Sequence, residues 1–471
     1  MTRVVEADVA VVGAGTAGAT LAYLLASRGV DVVLIDQRRR EEIGLKVCGD
    51  AIAAHHFREA GLPPPPRGVV LHSVRGIRIY PYDMSGHVTV ESRDGGFIVD
   101  RHRYGQHLVN MAEGAGARIL AGVRVLAPIV RDGFVAGVEG LDGSGEKVRV
   151  DAKVVADASG YCSVVLRRLP DEWGLERRID DLDKIAAYRE IVRIKEPFPD
   201  KGYLWIHFTD RYAPGGYVWI FPHSEDGLEL NIGCGVQCGL GYPSPARLLA
   251  AYKERCREVS WLLRGCEVVH RGSWPIPNRR PRGVIAWNGF VAVGDAAIQI
   301  DPATAEGIGY GLYGASLAAK AIAEALEEGD WSARSLWRYA HAYMTSRYGV
   351  NQARFDVFRY LLQASGDDDK RFAIRHRILG GKELGRAREE GIRISPAAKV
   401  AKVATCLLRR RLRLVKRLMF TARMMRAVAD HYRAYPRSPE GYRGWKAREE
   451  ELFTAVRAVL KPYVPPAWRG S

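Results

Sequence analysis

The sequence predicts an α/β fold in which a nucleotide-binding domain is interrupted by an antiparallel sheet and followed by a helical region. Three observations lead to this fold class. A strand, a glycine-rich turn, a helix and a second strand follow one another from Val4 to Asp36. Aromatic and alternating segments between residues 171 and 275 are typical of antiparallel strands. An apolar strand ending in a glycine and an acid returns at 289–297, and the chain after Trp331 is basic with helical spacing.

The glycine-rich turn is the strongest functional signal. Gly13 allows the tight turn, Gly15 lets the backbone approach a pyrophosphate, and Gly18 lets the helix pack on the strand. The helix N-terminus offers free N–H groups to a diphosphate. Asp36 ends the second strand, where its carboxylate can accept hydrogen bonds from a ribose diol. This context predicts a Rossmann-like domain that binds a dinucleotide other than NADP, and it leaves FAD and NAD open.

Composition is typical of a multidomain globular protein. The chain has 471 residues, 47% of them hydrophobic, which is enough for two or three domains. The first strand begins within a few residues of the N-terminus, so we expect no signal peptide. Because no uncharged apolar run reaches about 18 residues, we also expect no membrane span.

The formal net charge of +16 restricts the class of partner. Nucleic acid, an anionic membrane or an anionic substrate would each suit such a charge. No nucleic-acid-binding module is recognisable, so we favour the membrane and the substrate. The alternative to a charged partner is that the positive charge of this arginine-rich chain only keeps the protein soluble.

Seven scattered cysteines give no metal signature. No CxxC pair is present, so we expect no zinc or other metal site. A sparse, odd set indicates a reducing compartment, although Cys256 and Cys266 could pair in a hyperthermophile.

We divide the chain into four segments. Residues 1–170 form the first part of the nucleotide-binding domain, with a small insertion near 67–95. Residues 171–275 form the antiparallel-sheet domain, 276–330 return to the nucleotide-binding domain, and 331–471 form a helical, basic C-terminal domain.

Several residues beyond the turn are candidates for the binding site. Cys48 precedes a predicted helix from Ala51 to Ala60, where a thiol can have a lowered pKa; a buried structural thiol is the alternative. Arg101 precedes another predicted helix and can reach a phosphate or form a surface ion pair. Asp295 can hold a ribose-type hydroxyl, and Gly307-Ile308 begins a second glycine-rich helix N-terminus.

Two further patterns concern strand ends and turns. Asp157 ends an apolar strand and is followed by Gly160, with Ser163 and Arg167 predicted on a helix. The preceding segment, 134–150, predicts a hairpin with Asp142-Gly143 as its turn.

The aromatic sheet and the basic C-terminal region suggest apolar partners. Strands such as 203–208 and 217–222 suit a large apolar ligand, although an ordinary aromatic core would look the same. The segment 407–420 mixes apolar and cationic residues at helical spacing. It predicts an amphipathic helix that either lies on an anionic membrane or packs on the protein body.

Three motifs in order resemble the para-hydroxybenzoate-hydroxylase-type flavoproteins. They are the Gly13 to Gly18 turn with Asp36, the Asp157 to Arg167 segment, and Gly294-Asp295 with Pro302 and Gly307. A narrower resemblance is to the geranylgeranyl reductases, through Lys46-x-Cys48-Gly49 and through Tyr217-x-Trp219-x-Phe221-Pro222 followed by Gly233-x-Gly235. Asp50 departs from this pattern, since a glycine often follows the Cys-Gly pair.

The resemblance implies FAD as cofactor and assigns roles to particular residues. The implied FAD contacts are Gly13, Ala14, Gly15, Ala17, Gly18, Asp36, Cys48, Gly49, Ala51, Arg101, Val125, Asp295, Gly307 and Ile308. The implied substrate-binding residues are Tyr217, Trp219, Phe221, Gly233 and Gly235. Cys48 is the first candidate for the proton donor, and Tyr217 is the second.

The activity implied is FAD-dependent reduction of isoprenoid double bonds in ether-lipid precursors such as digeranylgeranylglycerophospholipid. The alternatives are an aromatic monooxygenase or halogenase, a reductase of a quinone prenyl tail, and a non-catalytic flavin-binding scaffold. The electron donor is either ferredoxin or NAD(P)H. We expect a cytoplasmic protein that is peripheral on the inner face of the cell membrane.

Overall fold

A computed structural model of the chain describes residues 2–378, 380–381, 383–385 and 395–468. The strands, numbered in chain order, are β1 (Arg3–Val12), β2 (Val32–Asp36), β3 (Ala51–Ala53), β4 (Val70–Tyr80), β5 (Val88–Val99), β6 (Arg118–Ala121), β7 (Arg124–Arg131), β8 (Phe134–Leu141), β9 (Lys147–Asp157), β10 (Lys184–Arg193), β11 (Tyr203–His207), β12 (Tyr217–Pro222), β13 (Glu229–Gln237), β14 (Glu267–Pro277), β15 (Ala286–Trp287) and β16 (Phe290–Ala292).

Helices cover the outside of the first sheet and form most of the C-terminal region. The helices discussed below are α1 (Thr16–Ala26), α2 (His55–Glu59), α3 (Arg101–Gly114), α4 (Pro245–Arg255), α5 (Arg257–Leu263), α6 (Ile308–Glu327), α7 (Ala333–Thr345), α8 (Arg347–Ala364), α9 (Asp367–Arg375), α10 (Pro396–Leu408), α11 (Leu412–Arg433) and α12 (Tyr442–Val459).

The first sheet is the predicted nucleotide-binding sheet. Its main path runs β15-β16-β9-β1-β2-β6, and β8 pairs with β9 as the hairpin predicted over 134–150, with β7 beside β8. Strands β1, β2, β6, β9 and β16 are parallel to one another. Val12 pairs with Ile35 on one side and with Asp157 on the other, so the strand ends that carry Gly13, Asp36 and Asp157 meet at one edge. Ligands of open parallel sheets bind at this carboxyl edge.

The second sheet is antiparallel except for one pair. Its order is β14-β10-β13-β12-β11-β4-β5-β3, and β4 runs parallel to β11. The sheet therefore contains the strands of the insertion predicted near 67–95 as well as those of the segment 171–275.

The predicted helix from Ala51 to Ala60 is wrong in its first half. Asp50 has φ +61°, a left-handed conformation that turns the chain, and residues 51–53 then pair with β5 as strand β3. Only α2, five residues long, is helical here.

Two other local predictions also need correction. Ser163 has φ +44° and follows a 3₁₀ turn, and Arg167 lies on another 3₁₀ turn, so neither residue is on an α-helix. The predicted helix over 407–420 is broken between α10 and α11, because Arg410 has φ +57° and the Arg411 amide donates back to the Cys406 carbonyl at 2.8 Å.

The C-terminal helices pack on the first sheet through a shared core. Trp337, Tyr343, Val428 and Phe453 belong to the same buried cluster as Val11 and Leu34. A buried ion cluster adds to this contact: Arg280 lies 3.2 Å from Glu449 and 3.3 Å from Asp356. Charges buried in this way are stable only when paired, so this region is integral to the fold.

Two of the composition-based expectations can be compared with the structure. Among the described helices, none combines the length and apolarity needed to cross a bilayer. All seven cysteines are free thiols, so the suggested Cys256–Cys266 disulfide does not form.

Candidate active site

A large cavity lies between the carboxyl edge of the first sheet and the inner face of the second. Its volume is about 1290 Å³, more than the roughly 300–1,000 Å³ typical of small-ligand pockets. One end is lined by Gly15–Ala17, Lys46–Ala53 and Gly307–Ile308, and the other by apolar residues of β4, β11, α8 and α9. The cavity can therefore accept a dinucleotide and an extended apolar ligand together.

The glycine turn has the geometry that the sequence predicts. A Cβ on Gly13, which has φ +103°, would lie 2.5 Å from the Ala158 carbonyl oxygen, and one on Gly18 would lie 1.9 Å from the Gly13 oxygen. Gly15 has open space around its Cα and lines the cavity, as does Ala17. The backbone is thus packed tightly behind the turn and is accessible in front of it.

Asp36 and Val125 lie outside the cavity lining. Oδ2 of Asp36 accepts from the Ala14 amide at 2.8 Å, and Oδ1 accepts from the Arg38 amide at 2.9 Å. Val125 is buried on β7, beside the end of β2. Their proposed contacts with the ribose and the adenine remain predictions.

Arg101 carries unused hydrogen-bonding capacity into the cavity. Its Nη2 donates to Thr16 Oγ1 at 3.0 Å. Its Nε and Nη1 atoms are buried and have no hydrogen-bond partner among the described residues. A buried guanidinium left in this state is costly, so the position fits an anionic or carbonyl-bearing ligand.

The returning segment closes the same end of the cavity. Asp295 lines the cavity and pairs with Lys46 at 3.3 Å. Gly307 is the N-terminal cap residue of α6, and a Cβ there would lie 3.2 Å from Asp295 Oδ1. Gly307 and Ile308 both line the cavity, so the free amides of the first turn of α6 are available there for an acceptor.

Asp157 supports the neighbouring loop. Its buried carboxylate accepts from the amides of Ser159, Val165 and Leu166 at 2.9–3.0 Å. The side chain therefore shapes the loop that carries Gly160 to the cavity.

Cys48 and Asp50 form a compact polar cluster at the cavity wall. The Cys48 thiol donates to Asp50 Oδ1 at 2.9 Å. Asn231 Nδ2 donates to the Cys48 carbonyl at 2.9 Å and to Asp50 Oδ2 at 2.7 Å. Arg189 and His223 lie 3.9 Å and 3.6 Å from Asp50 Oδ2.

This cluster contradicts the expectation of a lowered thiol pKa. Burial, and then the nearby Asp50 charge, raise the pKa of Cys48 to about 12. The expectation rested on a helix start, and a strand follows Cys48 instead. Left-handed backbone suits Asp50, since Asp and Asn adopt it more readily than most residues.

Three aromatic residues of β12 line the cavity as predicted. The Tyr217 hydroxyl donates to the Thr304 carbonyl, and Trp219 Nε1 donates to Asn231 Oδ1 at 2.9 Å. Phe221 packs on Gly49, where a Cβ would lie 2.9 Å from the ring.

The two glycines of β13 differ in position. Gly235 lines the cavity, but Gly233 lies behind the wall: a Cβ on Gly233 would be 2.3 Å from the Trp219 indole. Gly233 makes room for this ring and, contrary to expectation, does not line the cavity.

Sequence reasoning missed the polar residues behind the wall and the apolar residues from the C-terminal helices. Asn231 forms hydrogen bonds with Cys48, Asp50 and Trp219, yet in the sequence nothing distinguishes it from other residues of a strand. Phe358 and Leu362 of α8 line the cavity although no motif marks them. Only pairing across the second sheet and helix packing bring these residues to the site.

Comparisons with known proteins agree on both halves of this site. A family model described as "FAD binding domain" matches residues 6–180, and one described as "Geranylgeranyl reductase catalytic domain" matches residues 183–263. A digeranylgeranylglycerophospholipid reductase of Sulfolobus acidocaldarius is 33% identical over 96% of this chain and 98% of its own. Digeranylgeranylglycerophospholipid reductase 1 of Methanopyrus kandleri is 33% identical over 71% of this chain and 85% of its own.

Solved structures show the same fold. The crystal structure of a geranylgeranyl bacteriochlorophyll reductase-like protein from Thermoplasma acidophilum superposes with a TM-score of 0.72, at 26% identity, over 85% of this chain and 96% of that one. A flavin-dependent brominase superposes with a TM-score of 0.67 over 86% of this chain and 100% of that one. At 18% identity, the brominase shows the fold alone.

Proposed function

The chain belongs to the digeranylgeranylglycerophospholipid reductase family, and we propose on that premise that it reduces double bonds of geranylgeranyl chains in ether-lipid precursors. The observation that carries the proposal is the continuity of the cavity. A single cavity is lined by the glycine turn and Gly307-Ile308, by Cys48 and the β12 aromatic residues, and by apolar residues of α8 and α9.

The residues at the dinucleotide end fit FAD. Gly15 leaves room for a diphosphate, and Arg101 keeps two buried nitrogen atoms for acceptors. We assign Asp36 to the ribose, and Gly307 and Ile308 to the isoalloxazine ring. When bound and reduced, FAD would supply the two electrons and one of the two hydrogens needed to saturate a double bond.

The opposite end suits a prenyl chain. Ile77 and Ile79 of β4, Ile206 of β11, and Phe358 and Leu362 of α8 line it. An isoprenoid chain is long and apolar, so these side chains can bind it and exclude water. Trp219 is held in place by its hydrogen bond to Asn231 and can fix one face of the alkene.

We assign proton transfer at the alkene to Cys48. A thiol whose pKa is about 12 keeps its proton at neutral pH, and Cys48 lies at the cavity wall. Asp50 positions the Sγ atom through the hydrogen bond that it accepts. Tyr217 remains the second candidate.

The direct test uses Cys48→Ala with dithionite-reduced FAD and a geranylgeranyl ether lipid. We expect the variant to bind FAD and to reduce the lipid about 10²–10⁴-fold more slowly, the range usual for loss of a general acid. Mass spectrometry of the lipid should show a gain of about two mass units per reduced bond after incubation with the unaltered protein. Cys162→Ala, at an exposed thiol, is the matched control. Undiminished reduction by Cys48→Ala would remove Cys48 from the mechanism, and rapid oxygen-dependent turnover of a phenol would favour a monooxygenase.

We further propose that the protein is cytoplasmic and binds the inner face of the cell membrane through the corner between α10 and α11. Leu408, Leu412 and Met419 are 84%, 58% and 63% exposed, and Arg409–Arg411 lies between the two helices. Exposed apolar side chains beside a cationic run suit an anionic lipid surface.

Vesicle sedimentation tests this surface. The unaltered protein should bind vesicles that contain anionic lipid more strongly than neutral ones, and Leu408→Ser with Leu412→Ser should weaken that binding. Val459→Ser removes an exposed apolar residue on α12 and should have no effect. Equal binding by all three proteins would exclude this corner as the membrane contact.

A further inference from the structure

A row of four polar side chains connects the interior of the cavity to its solvent-exposed rim. Glu306 lines the cavity, and its Oε1 lies 2.6 Å from Nε2 of His56. Nδ1 of His56 lies 2.6 Å from the Tyr348 hydroxyl, which donates to Glu59 Oε2 at 2.5 Å. The Glu59 side chain is 24% exposed and pairs with Arg347 at the rim. The three separations are 2.5–2.6 Å; the outer two are hydrogen bonds, whereas the His56–Glu306 contact is an ion-pair distance without hydrogen-bond geometry, so a small rotation of either side chain must precede proton transfer there.

The two middle residues are buried behind the cavity wall. His56 is 2% exposed and Tyr348 is 5% exposed, and neither lines the cavity. The His56 ring packs against the first turn of α6, where a Cβ on Gly309 would lie 2.2 Å from it. The Tyr348 ring stacks on Tyr313 with a centroid distance of 4.1 Å. Packing therefore holds the row in one arrangement.

The proposed reaction needs such a route. For each double bond, two electrons and one hydrogen come from the reduced cofactor, and a proton supplies the second hydrogen. When electrons alone reduce the cofactor, the hydrogen that it passes on also enters as a proton from solution. A lipid chain that fills the apolar end of the cavity excludes the water that would otherwise carry this proton. Glu306 immediately precedes Gly307, at the end of the cavity assigned to the cofactor, so the row ends where protons are consumed.

Resting on the function proposed above, we propose that Glu59, Tyr348, His56 and Glu306 form a proton relay from solvent to the cavity. A proton that leaves the Glu306 carboxyl for the cavity is replaced from His56. His56 is reprotonated through the Tyr348 hydroxyl, and this hydroxyl through Glu59, which exchanges with water. After each transfer every relay residue holds the number of protons with which it began, and His56 must return from its Nδ1-protonated to its Nε2-protonated tautomer before the next proton passes.

Proton uptake tests the relay without a reducible substrate. Photoreduction of bound FAD by two electrons takes a proton from weakly buffered solution, and a pH-indicator dye follows this uptake. The sample contains a geranylgeranyl ether lipid whose double bonds have been chemically hydrogenated, so that the cavity is filled. We expect uptake to keep pace with flavin bleaching in the unaltered protein and to lag by roughly tenfold or more in Tyr348→Phe, which removes only the relaying hydroxyl.

Tyr313→Phe is the matched control, since it removes a hydroxyl from the stacked neighbour outside the row. Glu59→Gln is a second relay variant, in case Tyr348→Phe binds FAD poorly. Equal uptake in Tyr348→Phe, Glu59→Gln and Tyr313→Phe with lipid bound would overturn the relay. Failure of the hydrogenated lipid to bind the unaltered protein would instead count against the proposed function, so the two failures are distinguishable.

Discussion

The Cys48 thiol is expected to stay protonated up to unusually high pH, and its alkylation rate can show this. Its pKa is raised from 9.0 to about 12, first by burial and then by Asp50. A difference of three pH units makes the thiolate fraction at pH 8 about a thousandfold smaller than that of an unperturbed thiol. Because the thiolate is the nucleophile, the rate constant for alkylation of Cys48 by iodoacetamide should keep rising with pH beyond pH 10.

The assay is peptide mass spectrometry after timed alkylation between pH 7 and pH 11, with circular dichroism to check folding at each pH. The position of the plateau reports the pKa, whereas limited access to the thiol lowers all rates equally. Asp50→Asn removes the charge and keeps a residue that tolerates left-handed backbone. Its curve should shift to lower pH. A plateau near pH 9 in the unaltered protein, or superimposable curves for the two proteins, would refute this account of the thiol.

Two further predictions concern stability. Although burial acts to raise it, pairing with cations such as Arg279 lowers the pKa of Glu176 from 4.5 to about 2. The folded state thus holds the Glu176 proton less tightly than the unfolded state, so this contribution is complete above about pH 4.5 and is lost as the pH falls toward 2. Urea titrations should show the stability difference between the unaltered protein and Glu176→Gln shrinking across this range; a constant difference would contradict the assignment. Gly233→Ala should displace the Trp219 ring and cost about 1–3 kcal/mol of unfolding free energy, whereas Gly114→Ala, where the added Cβ meets open space, should not; equal urea midpoints would contradict the packing argument.

The sequence predicted the parts of the site that depend on local backbone geometry. The Gly13 to Gly18 turn, the acid at the end of β2 and the glycine-rich start of α6 each need particular residues at fixed spacing, so they are recognisable without a fold. Alternation along Tyr217 to Phe221 likewise predicted a strand with three aromatic residues, and these residues line one cavity.

The errors also have local causes. The apolar run after Gly49 suits a helix, but strand β5 offers pairing partners that no local pattern reveals. The left-handed conformation of Asp50 makes that pairing possible. The expected low pKa of Cys48 failed together with the predicted helix, because it depended on a helix dipole.

By itself, the sequence determined the nucleotide-binding topology and the aromatic strand, since both depend on short-range spacing, and the family resemblance of its motifs implied FAD as the cofactor. Tertiary structure alone decided which distant side chains meet. Pairing across the second sheet places Asn231 between Cys48 and Trp219, and packing of α2 against α6 and α8 places His56 between Glu306 and Tyr348. Contacts of this kind depend on how whole helices and strands pack. No local sequence pattern predicts which residues will meet when they lie hundreds of positions apart.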